Sequence, residues 1–417
     1  MAEGDIIAGL DLGTTKVTAI VAEQTEDGLD IIGFGTVPAV GLKKGVVVNI
    51  EKTVQAIREA VDQAKNMAGV EIHRVYAGVA GSHIHGQNRE GVAAIQNREV
   101  AHSDIERVLE QARAVPLPAD RQVLHVLPQE YRVDDQDGIK EPVGMNGVRL
   151  EARVHMVMTS SSSIANIEKC IERCDLHVEE IVLEPLASSL SVLSEDEKEI
   201  GVCLIDIGGG TTDLILYVEG SVVHTASIPM GGANLTSDIA QGLRTPLWDA
   251  ERAKIKYGCA AISMVDEDDE ITIPSVGGRA DRTLERQVLC SIIEPRVEEI
   301  LEAAKAIIEE SGYRDLLASG VVLTGGTTLL EGLPEFAESI LELPVRRGMP
   351  GQIGGLVDFV HKNPSAATAV GLVLYGAQRS AEESERRGRE GLKHEISAVS
   401  GELSMGQRFT AWLREVF

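Results

Sequence analysis

"IIAGLDLGTTKVTAIVAE" (Ile6–Glu23) and "GVCLIDIGGGTTDLILYVEG" (Gly201–Gly220) follow one plan. Each runs along an apolar strand to an Asp, Asp11 or Asp206, turns through Gly-Thr-Thr, and leaves along a second apolar strand. Such a pattern predicts a β-hairpin with a glycine- and threonine-rich tip, and its recurrence predicts a molecule of two similar halves. A third turn, in "GVVLTGGTTLLEGL" (Gly320–Leu333), also follows an apolar strand. Backbone N–H groups exposed in these turns, flanked by Thr hydroxyls, form concavities suited to phosphate, and glycine lets the backbone come close. If the halves oppose each other, Asp11 and Asp206 share one cleft. Two carboxylates beside phosphates suit a hydrated Mg²⁺, which is commonly held by one or two carboxylates plus phosphate oxygens. The expected ligand is therefore a Mg-nucleotide, ATP or ADP. No G-x-x-x-x-G-K-[ST] occurs and no G-x-G-x-x-G opens a helix, which excludes a P-loop and a Rossmann site.

Between the two hairpins, apolar residues at helical spacing in "EKTVQAIREAVDQAKNMAG" (Glu51–Gly69) predict a helix stopped by Gly69. From about His83 to Ser160 the texture changes to helix, Pro-rich turn and strands, an inserted α+β subdomain, with Ser103 and Glu106 expected as a capping box. Further on, "PRVEEILEAAKAIIEESG" predicts a helix opened by Pro295 and closed by Gly312. After about Gln378 the chain turns charged and poor in large apolar residues, which reads as a linker.

At 417 residues the chain exceeds one ordinary core, and 43% hydrophobic residues without a long apolar run describe a globular protein with no membrane span. "MAEGDIIAGLDLG" lacks the basic and apolar regions of a signal peptide, and five scattered cysteines fit reduced thiols, so the cytosol is expected. Cys170, Cys174 and His177 could begin a metal site, but a fourth ligand is missing. A formal charge of −26 argues against nucleic acid as a partner.

The order "DLGTTK", "LEPLASSL", "DIGGGTTD", "LTGGTTLL", "SAATAVGL" resembles the nucleotide signature of the actin, Hsp70 and sugar-kinase superfamily. The resemblance implies an α/β, actin-like fold of two ribonuclease-H-like halves clasping ATP and Mg²⁺. It implies that Gly13, Thr14, Thr15 and Lys16 line one phosphate turn, and Gly208, Gly209, Gly210, Thr211, Thr212 and Asp213 the other. Gly231, Gly232 and Asn234 join the nucleotide contacts, Gly325, Gly326 and Thr327 lie on the adenosine side, and Glu251 and Lys254 reach the ribose. Asp11 and Asp206 stand behind the metal's waters. Glu184 falls where the Hsp70 branch orients the attacking water, although a carboxylate there also suits a helix start.

"GLKKGVVVNIEKTVQAI", "VYAGVAGSHI" and "HVLPQEYRVDDQDGIKEPVGMNGVRLEARVH" further resemble the FtsA family of bacterial cell-division actin homologues. That implies self-assembly into filaments, the C-terminal peptide of the tubulin-like FtsZ and later divisome membrane proteins as partners, and slow or absent ATP turnover. The implied subdomains are 1–83 with 162–198, an insertion at 84–161, 199–228 with 300–378, a small subdomain at 229–299, a flexible charged linker at 379–404 and an amphipathic helix at 405–417. The type IV pilus scaffold of the same fold is the alternative. It lacks such a terminal helix.

On a helical wheel Met405, Phe409, Trp412, Leu413, Val416 and Phe417 gather within roughly 140°, opposite Gln407, Arg408, Thr410, Arg414 and Glu415. Aromatics on the apolar face with Arg at its edges suit a helix lying in a lipid interface, here the cytoplasmic face of the inner membrane at the division site.

Overall fold

The hairpins form as the sequence predicts. In the computed structural model, β1 (Ile6–Leu12) pairs antiparallel with β2 (Lys16–Thr25), placing Asp11 opposite Thr18, and β3 (Gly28–Pro38) pairs with β2. A two-residue pair, β4 (Leu42–Lys43) and β5 (Val46–Val47), leads into α1 (Ile50–Ala68), capped by the Asn49 side chain and ended by Gly69 at φ 70°. Val54, Ile57, Val61 and Ala64 are its buried face. Gly33 and Gly35 on β3 let that helix lie on the sheet: a Cβ on Gly35 would come within 2.0 Å of the Ala60 carbonyl. The parallel strand β6 (Arg74–Val79) completes this first run.

The insertion follows. It comprises β7 (His85–Ala94), α2 (His102–Arg113), β8 (Arg121–Val133), β9 (Gln136–Ile139) and β10 (Arg149–Ser160). They make a separate sheet, β7-β10-β8-β9, over its own core of Val108, Tyr131, Leu150 and Val154. The helix does not start on Ser103. Its N-cap is Ala101, whose N–H donates to Asp104 at 2.9 Å, so Asp104 takes the part expected of Glu106 and no hydroxyl takes that of Ser103.

The chain then returns through α3 (Ser161–Glu172), β11 (His177–Leu183), α4 (Glu184–Val192) and α5 (Glu195–Ile200). The second half begins with β12 (Val202–Ile207), β13 (Thr212–Val218) and β14 (Ser221–Ile228), followed by α6 (Gly232–Gly242), α7 (Leu247–Tyr257), β15 (Glu270–Ile273) and β16 (Arg282–Glu285). Next come α8 (Arg286–Ser311), β17 (Val321–Thr324), α9 (Leu333–Leu341), β18 (Val345–Arg347), β19 (Gly354–Gly355) and α10 (Ala367–Gly401). The sheet orders are β11-β6-β1-β2-β3-β19 and β14-β13-β12-β17-β18. In each, three antiparallel strands continue into two parallel ones, so the repeated phrase does mark a repeated α/β architecture.

Two expectations change. Pro295 lies inside α8 and does not open it, so one helix crosses the boundary drawn at 299/300. The lost backbone bond is tolerated because Leu289 and Ile293 before it, and Val297, Ile300 and Leu301 after it, bury on the same core. Residues 379–401 are helical in α10 and not an irregular linker. Their charge misled: Glu, Arg, Lys and Ala are good helix formers, and Arg379 pairs with Glu382 one turn on at 3.2 Å.

The structure describes residues 5–26, 28–275, 280–351, 353–356, 360 and 362–401, with 385–401 described by their backbone. Two units divide the chain, Met1–Leu374 and Tyr375–Phe417. The amphipathic segment 405–417 lies outside the described residues, among which no helix is long and apolar enough to cross a membrane.

Candidate nucleotide site

The turn Gly13–Thr15 between β1 and β2 faces the turn Gly208–Thr211 between β12 and β13. A Cβ on Gly209 would lie 2.3 Å from the Thr15 methyl, and one on Gly210 2.6 Å from Thr14. The absence of side chains is what lets the two turns meet. Around them opens a cavity of about 390 Å³ lined by Asp11, Gly13, Thr14, Thr15, Lys16, Glu184, Asp206, Gly208, Gly209, Gly210, Thr211, Asp213, Gly232, Glu251, Lys254, Gly325, Gly326 and Thr327. Sequence reasoning thus brought together residues from both halves.

Three expected residues stand one layer back. Thr212 is buried with its hydroxyl on the Met230 carbonyl at 2.9 Å. Asn234 accepts from the Gly231 N–H at 3.1 Å and so caps α6. Gly231 itself is the close approach that seats this helix: the Gly232 and Ala233 N–H groups donate to the Gly208 and Gly209 carbonyls at 2.9 and 2.7 Å. The start of α6 therefore holds the second phosphate turn in shape. Thr327 donates to the Gly208 carbonyl at 3.0 Å, clamping the same turn from the other side.

Four carboxylates converge on the cleft. Burial raises Asp11 to about 6, with Lys16 opposing and Asp206 adding to the rise. Burial lifts Asp213 to about 7, with Asp206 adding to the rise and neighbouring polar groups partly offsetting it. Glu184, first residue of α4, is raised well above the ordinary range by burial and then by Asp11, Asp213 and Asp206. Asp206 is raised by burial but restrained by the hydroxyls of Ser188 at 2.8 Å and Thr368 at 3.3 Å. Lys16, lowered mainly by burial, donates to the Ser365 hydroxyl at 3.0 Å.

So much concentrated negative charge beside one buried ammonium fits a divalent cation. Among the described residues no three carboxylate, His or Cys groups are placed to grip an ion directly. Cys170 is buried on α3 and Cys174 half-buried just after it, while His177 is exposed at the start of β11. On the far side of the cavity Lys254 bonds Glu251 at 2.7 Å, the Gly232 carbonyl at 3.0 Å and Thr236 at 2.9 Å. Gly325, at φ 89°, packs where a Cβ would strike Asp206 at 2.3 Å. Ile255 and Leu329 line the mouth of the cavity though 75% and 55% exposed, an apolar wall suited to a flat base.

Ser188, Ser365 and Thr368 were not singled out from the sequence. They lie in "LEPLASSL" and "SAATAVGL", and their polar residues amid apolar helix starts were the available signal.

Two sheets of one repeated topology, closed on a carboxylate-rich cleft by facing glycine turns, define an actin-like protein. Solved structures agree: a PilM–PilN type IV pilus biogenesis complex (TM-score 0.64, 17% identity, 89% of this chain and 98% of that one) and MreB5 of Spiroplasma citri bound to ADP (0.55, 15%, 91% and 98%). These likenesses show the fold alone. A family model described as cell division protein FtsA matches residues 203–371, and one for the SHS2 domain inserted in FtsA matches 81–158. The chain is 52% identical over 380 residues to the FtsA of Pseudomonas aeruginosa (91% of each chain) and 42% over 420 residues to that of Escherichia coli K12 (99% and 98%). It belongs to the FtsA family of cell division proteins, and the pilus scaffold is the less supported alternative.

Proposed function

We propose that this actin-like cell division protein binds Mg-ATP between its halves, assembles into filaments, and in that form tethers FtsZ to the inner membrane. The observation that carries the reading is the pair of facing turns, Gly13–Thr15 and Gly208–Thr211, with Asp11 and Asp206 behind them. The MreB5 neighbours are described with ADP and with AMPPNP, which supports a nucleotide for the shared cleft. On this reading the turn N–H groups and Lys16 hold phosphate oxygens, while Asp11 and Asp206 accept hydrogen bonds from the metal's waters. Glu251 and Lys254 hold the ribose, with the base against Gly326 and Leu329. Bound Mg²⁺ would supply the positive charge that the four carboxylates call for. Glu184 faces the phosphate end and orients a water there; turnover is slow and serves as a switch between polymer states. The subdomains are 1–83 with 162–198, 84–161, 199–228 with 300–378, and 229–299, the last boundary falling within α8.

The segment 405–417 is the membrane anchor of this reading. Six partly buried apolar side chains give on the order of 5 kcal/mol, a weak and reversible attachment. A body of charge −26 is repelled by anionic lipid, which weakens it further. Many tails on one filament convert weak anchors into stable ones through effective concentration. Later divisome membrane proteins meet the filament at the same surface of the membrane.

Co-sedimentation with liposomes and the FtsZ C-terminal peptide tests this. Mg-ATP is expected to carry the protein and the peptide into the lipid pellet, and Trp412→Glu to abolish pelleting while ATP binding persists. Pelleting unchanged by Trp412→Glu would remove the tail from the account, and a peptide left in solution would remove FtsZ.

A further inference from the structure

The inserted subdomain belongs by connectivity to the first half, yet it is bonded to the second. β14 is an edge strand of the second sheet, and side chains of the insertion take two of its carbonyls and one in the turn before it. Asn88 Nδ2 on β7 donates to the Val223 carbonyl at 3.1 Å, and Gln129 Nε2 on β8 to the Val222 carbonyl at 2.8 Å. Lys140 Nζ donates to the Glu219 carbonyl at 2.7 Å.

At the centre of this seam is His155 of β10, 1% exposed. Asn88 Oδ1 accepts from Gln129 Nε2 at 3.1 Å and from His155 Nδ1 at 2.8 Å. That assigns the proton to Nδ1 and leaves Nε2 to accept from the Thr225 hydroxyl of β14 at 2.9 Å. Burial lowers His155 to about 4 and keeps the ring in this neutral form. Every member is satisfied, and a displaced one would leave buried partners unpaired, so the seam is either docked or open with little between. There is no slack: a Cβ on Gly86 would lie 2.4 Å from Thr225 and 2.5 Å from His155.

The seam adjoins the cleft along one short route. Thr225 is two residues along β14 from Ser227, the cross-strand partner of Asp213. Asp213 lines the cavity, so β13 and β14 tie the cleft to the seam.

Resting on the reading of the cleft as a Mg-nucleotide site, we propose that the His155–Asn88–Thr225 seam is a latch, docked or released according to what occupies the cleft beside Asp213. The insertion then carries the nucleotide state of the cleft to the surface it presents.

Hydrogen exchange on the full-length chain tests it, with and without Mg²⁺ and a non-hydrolysable ATP analogue, while calorimetry on the same sample reports occupancy. Amides of β7 and β14 at the seam are expected to change exchange rate by about fivefold or more on binding, and coupling is reciprocal. Thr225→Val, outside the cavity, should therefore shift nucleotide affinity several-fold, and Thr225→Ser, which keeps the hydroxyl, should restore it. Seam exchange that stays the same while the nucleotide is bound would overturn the latch. A failure of the nucleotide to bind would overturn the cleft reading and the latch with it.

Discussion

The two glycine turns look interchangeable on paper, and the structure shows that they are not. Matching Gly-Thr-Thr to Gly-Thr-Thr sets Lys16 against Asp213. The strand register instead pairs Asp11 with Thr18 and Asp206 with Asp213, so the positional equivalent of Asp213 is Thr18, and that of Lys16 is Thr211. Thr18 is fully buried and meets Thr36 across the sheet at 3.4 Å. The second half spends the same place on a carboxylate opposite Ser227. Two cradles of one topology thus differ, one carrying a cation and the other an extra acid. On the proposed reading the first turn grips phosphate, and the second manages the metal's waters and a reacting water.

That asymmetry can be broken from either side. Lys16→Ala should cost the most, about 100-fold in ATP affinity, equivalent to about 2.7 kcal/mol, and should do so with or without Mg²⁺ in a calorimetric titration. Thr211→Ala, its register equivalent, should cost less than about tenfold; equal losses would dissolve the distinction. Gly209→Ala pushes a methyl into Thr15 and should weaken binding about tenfold by holding the turns apart, measured by fluorescent-nucleotide displacement.

The smallest effect is on pH dependence. Asp11 at about 6 and Asp213 at about 7 bind protons in the folded state that the unfolded chain, with carboxyls near 3.8, has released. Between about pH 4 and 7 the native state therefore holds more protons, and stability falls as pH rises through that window. Thermal melts of nucleotide-free protein should show Tm declining from pH 5 to 8, and Asp213→Asn should flatten the slope. Thr18, carrying no charge at the equivalent place, contributes nothing to it.

The hairpins and their acids were legible because the decisive contacts are local: strand, turn and strand are contiguous, and their repetition removes coincidence. The insertion was legible by its change of texture. Chain distance hid the rest. Ser188 and Thr368 meet on Asp206 from segments 180 residues apart, and the signature that names both segments does not say which of their hydroxyls meet. Pro295 suits a helix start because proline favours first turns, yet apolar contacts on both sides carry α8 past it. Residues 379–401 were read from their charge, although the same residues have high helix propensity. The Asp213–Thr18 equivalence needed the register, which motif matching cannot supply.

On the proposed reading, opposed Asp11 and Asp206 hold a metal behind facing phosphate turns. Titrating ATP into wild type and Asp206→Asn, each with Mg²⁺ and with EDTA, addresses it most directly. The account predicts that Mg²⁺ strengthens wild-type binding by at least about tenfold and that Asp206→Asn erases this gain while leaving metal-free affinity close to wild type. Retention of the full Mg²⁺ gain in Asp206→Asn would contradict it.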